Sequence, residues 1–102
     1  MEIIWLPLAE KAIDDIFGFY AEKNVYVARK IVSDILRATE RLSDFPEMAA
    51  VEQFLQEQPK TFRSLVVKKI HKVVYYIETD RIYIADVWDC RQNPEMLTQR
   101  VS

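Results

Sequence analysis

Side chains able to carry chemistry are scarce in this 102-residue chain, which holds one histidine, one cysteine and one glycine. His71 is the only group that titrates near neutrality, so it is a candidate general acid or base. It could equally be a turn residue whose imidazole meets water or a backbone carbonyl. Cys90 has one flanking cation, Arg91, which is too little to indicate a reactive thiolate, and we interpret it as a packing residue.

The same scarcity excludes several classes of site. A glycine-rich phosphate loop needs several glycines close together, and Gly18 is the only one. A structural zinc site needs four cysteine or histidine ligands, and the chain offers two such side chains. A single cysteine cannot build a disulfide framework. The sequence therefore predicts no cofactor and no metal.

Positive charge is concentrated in the second half of the chain. Residues 1–57 carry six basic and eleven acidic side chains, a net charge of −5, whereas residues 58–102 carry eight and five, a net charge of +3. Residues 60–72 contain no acid. This stretch indicates either an anionic partner or a lysine-guarded sheet edge. Its cations are Lys60, Arg63, Lys68, Lys69 and Lys72.

A second group of candidates follows the last predicted strand. Arg91 stands beside Gln92 and Asn93 just beyond the strand, a placement that suits binding of a phosphate or a carboxylate. Alternatively, it forms an ordinary surface ion pair with Asp86 or Asp89. Trp88 could stack a base or anchor a protein partner, although core packing is the simpler use.

Two amphipathic helices precede these residues. A short strand at residues 2–6 ends at Pro7, which suits the first turn of a helix. Apolar residues then recur at three- and four-residue spacing over 8–20 and again over 27–42. Asn24 is expected to end the first helix. Gly18 lies within that helix, where close contact with the second helix would compensate for its cost.

Three β-rich segments complete the chain, FRSLVVKK, HKVVYYIE and RIYIADVW. Their short connections predict an antiparallel meander. In the last segment, strict alternation would place Trp88 on the same sheet face as Ile82 and Ile84. The segments are apolar on both faces, so the face away from the helices should be partly covered. Residues 47–60 could form a short helix or a loop.

The sequence thus predicts one α+β domain over residues 1–102, in the order β-α-α-β-β-β. An antiparallel helical hairpin should pack on one face of a small, mainly antiparallel sheet. No apolar run reaches the length of a membrane span, and the first residues lack the features of a secretory signal. With its lone free thiol, the chain is expected in the cytoplasm.

A recognisable pattern is formed by Trp5, the helical Ala9, Ile13, Ile16 and Tyr20, the helix stop Phe45-Pro46, and FRSLVVKKIHKVVYYIETDRIYIADVWDCRQNPEML. It resembles the RelE/ParE superfamily of type II toxin–antitoxin toxins, most closely its ParE-like, plasmid-stabilisation branch. The resemblance covers nearly the whole chain. It implies a bacterial toxin that is neutralised by a cognate antitoxin, while the antitoxin alone contacts operator DNA.

The resemblance leaves three modes of action open. ParE-like members inhibit DNA gyrase by protein contact, and we favour this mode, with Lys68, Lys69, Trp88 and Arg91 as candidate binding residues. RelE-like members are metal-independent ribonucleases that cut mRNA on the ribosome. A degenerate toxin that only binds its antitoxin is the third mode. For a ribonuclease, the matching positions are the cations Arg63, Lys72 and Arg91, with His71 and Glu95 for proton transfer; the tail lacks the usual tyrosine or histidine.

Overall fold

The structure, a computed structural model, describes residues 1–92 and 96–101. It confirms the α+β prediction, with two helices packed on a five-stranded mixed sheet. The elements are β1 (Glu2–Trp5), α1 (Pro7–Ala21), α2 (Val25–Glu40), a 3-10 turn (Arg41–Ser43), β2 (Ala50–Val51), a second 3-10 turn (Gln53–Leu55), β3 (Arg63–Val67), β4 (His71–Glu78), β5 (Arg81–Asp89) and α3 (Leu97–Val101).

The sheet has the strand order β1-β5-β4-β3-β2. The predicted meander is confirmed, because β3, β4 and β5 pair antiparallel through short connections. At the edge of the sheet, β1 pairs in parallel with β5, and Glu2 lies opposite Arg81. The undetermined stretch 47–60 contributes the two-residue edge strand β2 and the 3-10 turn after it.

The boundary between the two long helices differs from the prediction. Helix α1 starts at Pro7, as expected, and ends at Ala21. Asn24 does not end it but opens α2, because its side-chain oxygen accepts hydrogen bonds from the backbone N–H groups of Tyr26 and Val27 at 2.9 and 3.2 Å. An asparagine that accepts from the second and third residues after it is a helix N-cap.

The expected close contact at Gly18 is wrong. The residue is exposed, and a Cβ added to it would meet no heavy atom within 4 Å. The hairpin packs instead through other positions of α1, among them Ala9 and Ala12, which are buried. Gly18 is therefore a helix-weakening residue that is not required by packing within this chain.

Two apolar clusters lie on opposite faces of the sheet. The larger cluster packs the helical hairpin against β3, β4 and β5 through residues such as Ile35, Val73 and Ile82. The smaller cluster lies on the other face, where Leu55 from the second 3-10 turn and Leu97 from α3 cover Val74 and Ala85. Covering of the second face was predicted, and the chain itself supplies it.

A β-bulge overturns the predicted alternation along β5. Val74 and Tyr75 of β4 are adjacent, yet they pair with Asp86 and Ile84, so the pairing passes over the residue between them. After such a bulge the side chains change faces. Trp88 consequently joins the smaller cluster, while Val87 joins the larger one together with Ile84.

Candidate interaction site at the end of the sheet

An ion pair stands where β5 leaves the sheet. The Arg91 guanidinium donates from Nε to Asp89 Oδ1 at 2.9 Å and from Nη2 to Asp89 Oδ2 at 2.6 Å. Nη2 also donates to the Tyr20 hydroxyl on α1 at 3.2 Å. These bonds lower the pKa of the Asp89 carboxyl, with the Arg91 hydrogen bond as the largest cause. The ion pair considered in the sequence analysis is thus present, and it links β5 to α1.

His71 lies directly opposite Asp89 on the neighbouring strand. Its side chain is nearly buried, with 4% of its surface exposed, and its ring meets the Tyr20 ring edge-on at a centroid distance of 6.3 Å. Burial lowers the pKa of His71 despite the nearby Asp89 carboxylate, which acts in the other direction. Burial therefore favours the neutral imidazole, and the ring forms part of the packing between α1 and the sheet.

A cleft of about 310 Å³ opens next to these residues, between α1 and the ends of β4 and β5. Its apolar side is formed by Ala12, Ile16 and Val87. A volume of this size is at the lower end of ligand pockets in proteins. Its polar side chains are Asp15, Tyr20, His71, Asp89, Gln92 and Arg100, and the aromatic residues Phe19 and Trp88 complete the lining.

Trp88 has an unusual environment in the wall of this cleft. It is 2% exposed, and its indole Nε1–H has no hydrogen-bond partner among the described residues. The guanidinium carbon of Arg100 lies 5.4 Å from the centroid of the ring, a cation–π distance. The same guanidinium binds Asp86, which is fully buried.

Lys72, by contrast, points away from His71, because consecutive residues of a strand face opposite sides of the sheet. It forms a nearly buried ion pair with Glu52. Burial would raise the pKa of the Glu52 carboxyl, but hydrogen bonds from Lys72, the Phe54 N–H and the Ser64 hydroxyl outweigh that effect and lower it. This pair attaches the segment after β2 to the sheet.

The remaining cations of residues 60–72 are also dispersed. Arg63 donates from Nη1 to the carbonyl of Ala49 at 2.7 Å, and Lys60 pairs with Glu78 on the surface. Lys68 and Lys69 are exposed at the turn between β3 and β4, both with positive φ. The structure therefore brings His71 and Arg91 together but not Arg63 or Lys72. Glu95 lies outside the described residues.

Sequence reasoning did not single out Tyr20 or Arg100 as parts of this site. The sequence could have indicated a buried ion pair at Asp86, because a carboxylate within the apolar run IYIADVW needs a cation if it is buried. Nothing in the sequence marks Tyr20 as part of a site, because its spacing is that of a core position on α1. In the described part of the chain, no cluster of three or more ligating side chains could hold a metal, and no helix is long and apolar enough to span a membrane.

Comparison with known proteins agrees with this architecture. The family model for the ParE toxin of the type II toxin–antitoxin system parDE matches residues 3–94. A solved chain from the chromosomal ParDE toxin–antitoxin system of P. aeruginosa superposes with a TM-score of 0.73 at 21% identity, covering 87% of this chain and 95% of that one. At that identity the superposition shows the fold alone. A sequence comparison with curated proteins finds no match.

These findings give the class of this protein, a small α+β toxin of a type II toxin–antitoxin system. More narrowly, the chain belongs to the ParE toxin family, because the family model matches nearly its full length.

Proposed function

We propose that this ParE-type toxin acts in the bacterial cytoplasm by binding a protein target, DNA gyrase, and that a cognate antitoxin neutralises it. The dispersal of the candidate cations is the observation that carries the protein-binding mode. Cleavage of RNA requires a base, an acid and cations that converge on one phosphate. Here Lys72 is bound to Glu52 on the opposite sheet face, and Arg63 is bound to a backbone carbonyl.

Antitoxin binding is supported by apolar side chains on the outer surface of the helical hairpin. Phe19 and Tyr26 are 65% and 79% exposed. A groove of about 400 Å³ runs between α1 and α2 and is lined by Phe17, Val32 and Leu36 together with Arg29 and Arg37. Apolar surface flanked by cations suits a segment that is disordered when free and combines apolar anchors with acids. Operator DNA would be contacted by the antitoxin.

Lys68 and Lys69 are our candidates for contact with the target, because both residues are exposed on the turn between β3 and β4. Trp88 is buried, so a role in target binding would be to support the surface above it. Arg91, with 62% of its side chain exposed, could contact either partner.

The test is supercoiling of relaxed plasmid by purified gyrase in the presence of stoichiometric toxin. We expect inhibition that the antitoxin reverses, and a weaker effect from Lys68→Gln/Lys69→Gln. Lys11→Gln/Lys30→Gln is the matched control, since both lysines lie on exposed helix surfaces. Gyrase left fully active would contradict the proposed target.

The ribonuclease alternative is examined in parallel by mapping mRNA ends after incubation with translating ribosomes. Our proposal predicts no new ends with the intact toxin. Cuts that disappear in His71→Ala or Arg91→Ala would overturn the protein-binding mode. Growth after induction without antitoxin shows whether the chain is toxic at all, and normal growth would favour a degenerate toxin.

A further inference from the structure

We propose that the groove between α1 and α2 on the outer surface of the helical hairpin binds a second copy of this chain when no antitoxin covers it. The two copies pair through α2, antiparallel and about a two-fold axis. Pairing is a property of the isolated chain, whereas replacement of the second copy by an antitoxin rests on the proposed function. Three features support the dimer: the apolar lining of the groove, the order of the charges along it and the area of the hairpin.

The groove exposes apolar side chains that no described element covers. Phe17 of α1 and Leu36 of α2 line it with 36% and 40% of their surfaces exposed, and Val32 adds a half-buried side chain. Helix α2 already buries another side through Ala28 and Ile35. A helix that is apolar on more than one side ordinarily has a packing partner on each of them. The outer side of α2 lacks such a partner within the described chain.

Charges of opposite sign lie at the two ends of the α2 side of the groove. Arg29 and Glu40 both line it and are both exposed. Their separation of eleven positions is close to three helical turns, so they lie on one helix face about 16 Å apart. Neither side chain forms a hydrogen bond or an ion pair with another described residue. In an antiparallel pair, Arg29 of each copy therefore lies opposite Glu40 of the other.

The same two-fold axis gives the other α2 residues of the groove acceptable neighbours. It places Val32 opposite Arg37 and Ser33 opposite Leu36. The aliphatic stem of Arg37 can cover Val32 while its guanidinium stays in water. No residue of this lining then lies opposite one of like charge, and each contact occurs twice, as an isologous interface requires.

Glu40 favours a second copy over a segment that is acidic throughout. An acidic segment lying along the whole groove would place a carboxylate next to Glu40 and be repelled there. A second copy brings a cation to this end of the groove and an acid to the end at Arg29. An antitoxin segment that binds Arg29 and Arg37 should accordingly be neutral or basic where it reaches Glu40.

The hairpin offers enough area for a weak dimer. Helix α2 has 16 residues, which makes it about 24 Å long, and two packed helices are about 20 Å wide. Such a face covers roughly 500 Å² per copy in projection, and a total near 1,000 Å² is at the lower end of specific interfaces. We therefore expect the dimer to form in the micromolar range and to dissociate on dilution.

The experiment measures the mass of the purified full chain by sedimentation at about 1 to 300 µM, where we expect it to rise from one chain toward two. Arg29→Glu and Glu40→Lys should each weaken association by about tenfold, because each sets like charges together at two symmetric contacts. Lys60→Glu and Glu78→Lys are the charge-matched controls and should dimerise like the parent chain. They alter an exposed pair on the sheet face away from the helices.

Mixing the two groove variants tests the antiparallel register. When one Arg29→Glu chain meets one Glu40→Lys chain, both contacts again join opposite charges, so the mixture should associate about as strongly as the parent chain. Failure of the mixture to associate would overturn the register. A parent chain that stays monomeric throughout the range, or a dimer indifferent to both charge reversals, would overturn the second copy as occupant of the groove.

Titration with antitoxin separates this inference from the proposed function. We expect the antitoxin to dissociate the dimer, because both occupy the same groove. A dimer that binds antitoxin and stays intact would overturn this competition. A chain that dimerises but leaves gyrase active refutes only the proposed target, and a chain that inhibits gyrase but never dimerises refutes only the dimer.

Discussion

Arg100 donates two hydrogen bonds to the carboxylate of Asp86, from Nε to Oδ2 at 2.7 Å and from Nη2 to Oδ1 at 2.9 Å. Asp86 has no exposed surface and also accepts from the backbone N–H of Val87 at 2.8 Å. The pair joins the last turn of α3 to the middle of β5. The position of α3 therefore depends on a charge buried inside the sheet.

Replacing Arg100 by alanine should destabilise the protein strongly, because it leaves the Asp86 carboxylate buried without its counter-ion. Breaking a buried pair in this way costs about 3–5 kcal/mol, and the partial exposure of Arg100 places the expected loss near the lower value. Chemical denaturation of Arg100→Ala measures it.

The double variant Asp86→Asn/Arg100→Ala should lose less than the sum of the two single variants, because it no longer contains an uncompensated charge. Arg81→Ala is the matched control, since it removes an exposed pair with Glu2 and should change stability little. Strict additivity in the cycle would contradict the coupling of α3 to β5.

His71 should make the stability of the protein depend on pH between about 5 and 7. Its pKa is lowered in the folded state by burial, so the unfolded chain binds more protons in this range. Stability is fully present above the unfolded value near 6.5 and is lost as the pH falls toward the folded pKa. The slope cannot exceed about 1.4 kcal/mol per pH unit for one proton.

Because this is the only histidine, His71→Gln should flatten the curve of unfolding free energy against pH in that range. Glu52 and Asp89 also have lowered pKa values, but they act in a more acidic range, below their ordinary values. A slope that survives His71→Gln between pH 5 and 7 would refute this assignment.

The hairpin between β4 and β5 should be stabilised by Thr79→Asn. Thr79 and Asp80 both have positive φ, 52° and 58°, as a two-residue type I′ turn requires. Threonine is β-branched and tolerates this conformation poorly, whereas asparagine adopts it readily. We expect a gain of about 0.5–1 kcal/mol in thermal or chemical denaturation. Thr79→Val is the control and should bring no gain, since valine keeps the branch at Cβ.

Gly18→Ala should also raise stability, by about 0.5–1 kcal/mol, because alanine restricts the unfolded chain and meets no neighbour in the folded one. Gly18→Val should gain less, since its branched side chain loses rotamer freedom in a helix. A loss of stability in the alanine variant would mean that the surface of α1 is more crowded than described. If the stabilised variant binds antitoxin less well, the glycine serves the partner interface.

Much of the fold was predictable because its signals are local. Helical spacing, Pro7 and three β-rich segments define the hairpin and the meander without reference to distant residues. Asn24 was assigned to the wrong helix because asparagine suits both a helix end and a helix start. Only the hydrogen bonds to Tyr26 and Val27 decide between the two roles.

The candidate site was less predictable because it depends on a bulge and on contacts across the chain. Skipping Ala85 in the pairing moves Trp88 to the other sheet face, and no residue type in the sequence announces that shift. The Lys72–Glu52 pair joins residues twenty positions apart through a segment without clear periodicity. The ion pair between Arg91 and Asp89, in contrast, is local and was considered from the sequence.

The parallel pairing of β1 with β5 constrains the order in which parts of this protein can fold. Glu2 pairs with Arg81, so the sheet joins β1 to a strand that is synthesised long after it. Closing so long a loop is entropically costly and slows folding. A nascent chain lacking residues 81–89 has neither the partner for its first strand nor the carboxylate that secures α3. The complete sheet can therefore form only after β5 has been synthesised.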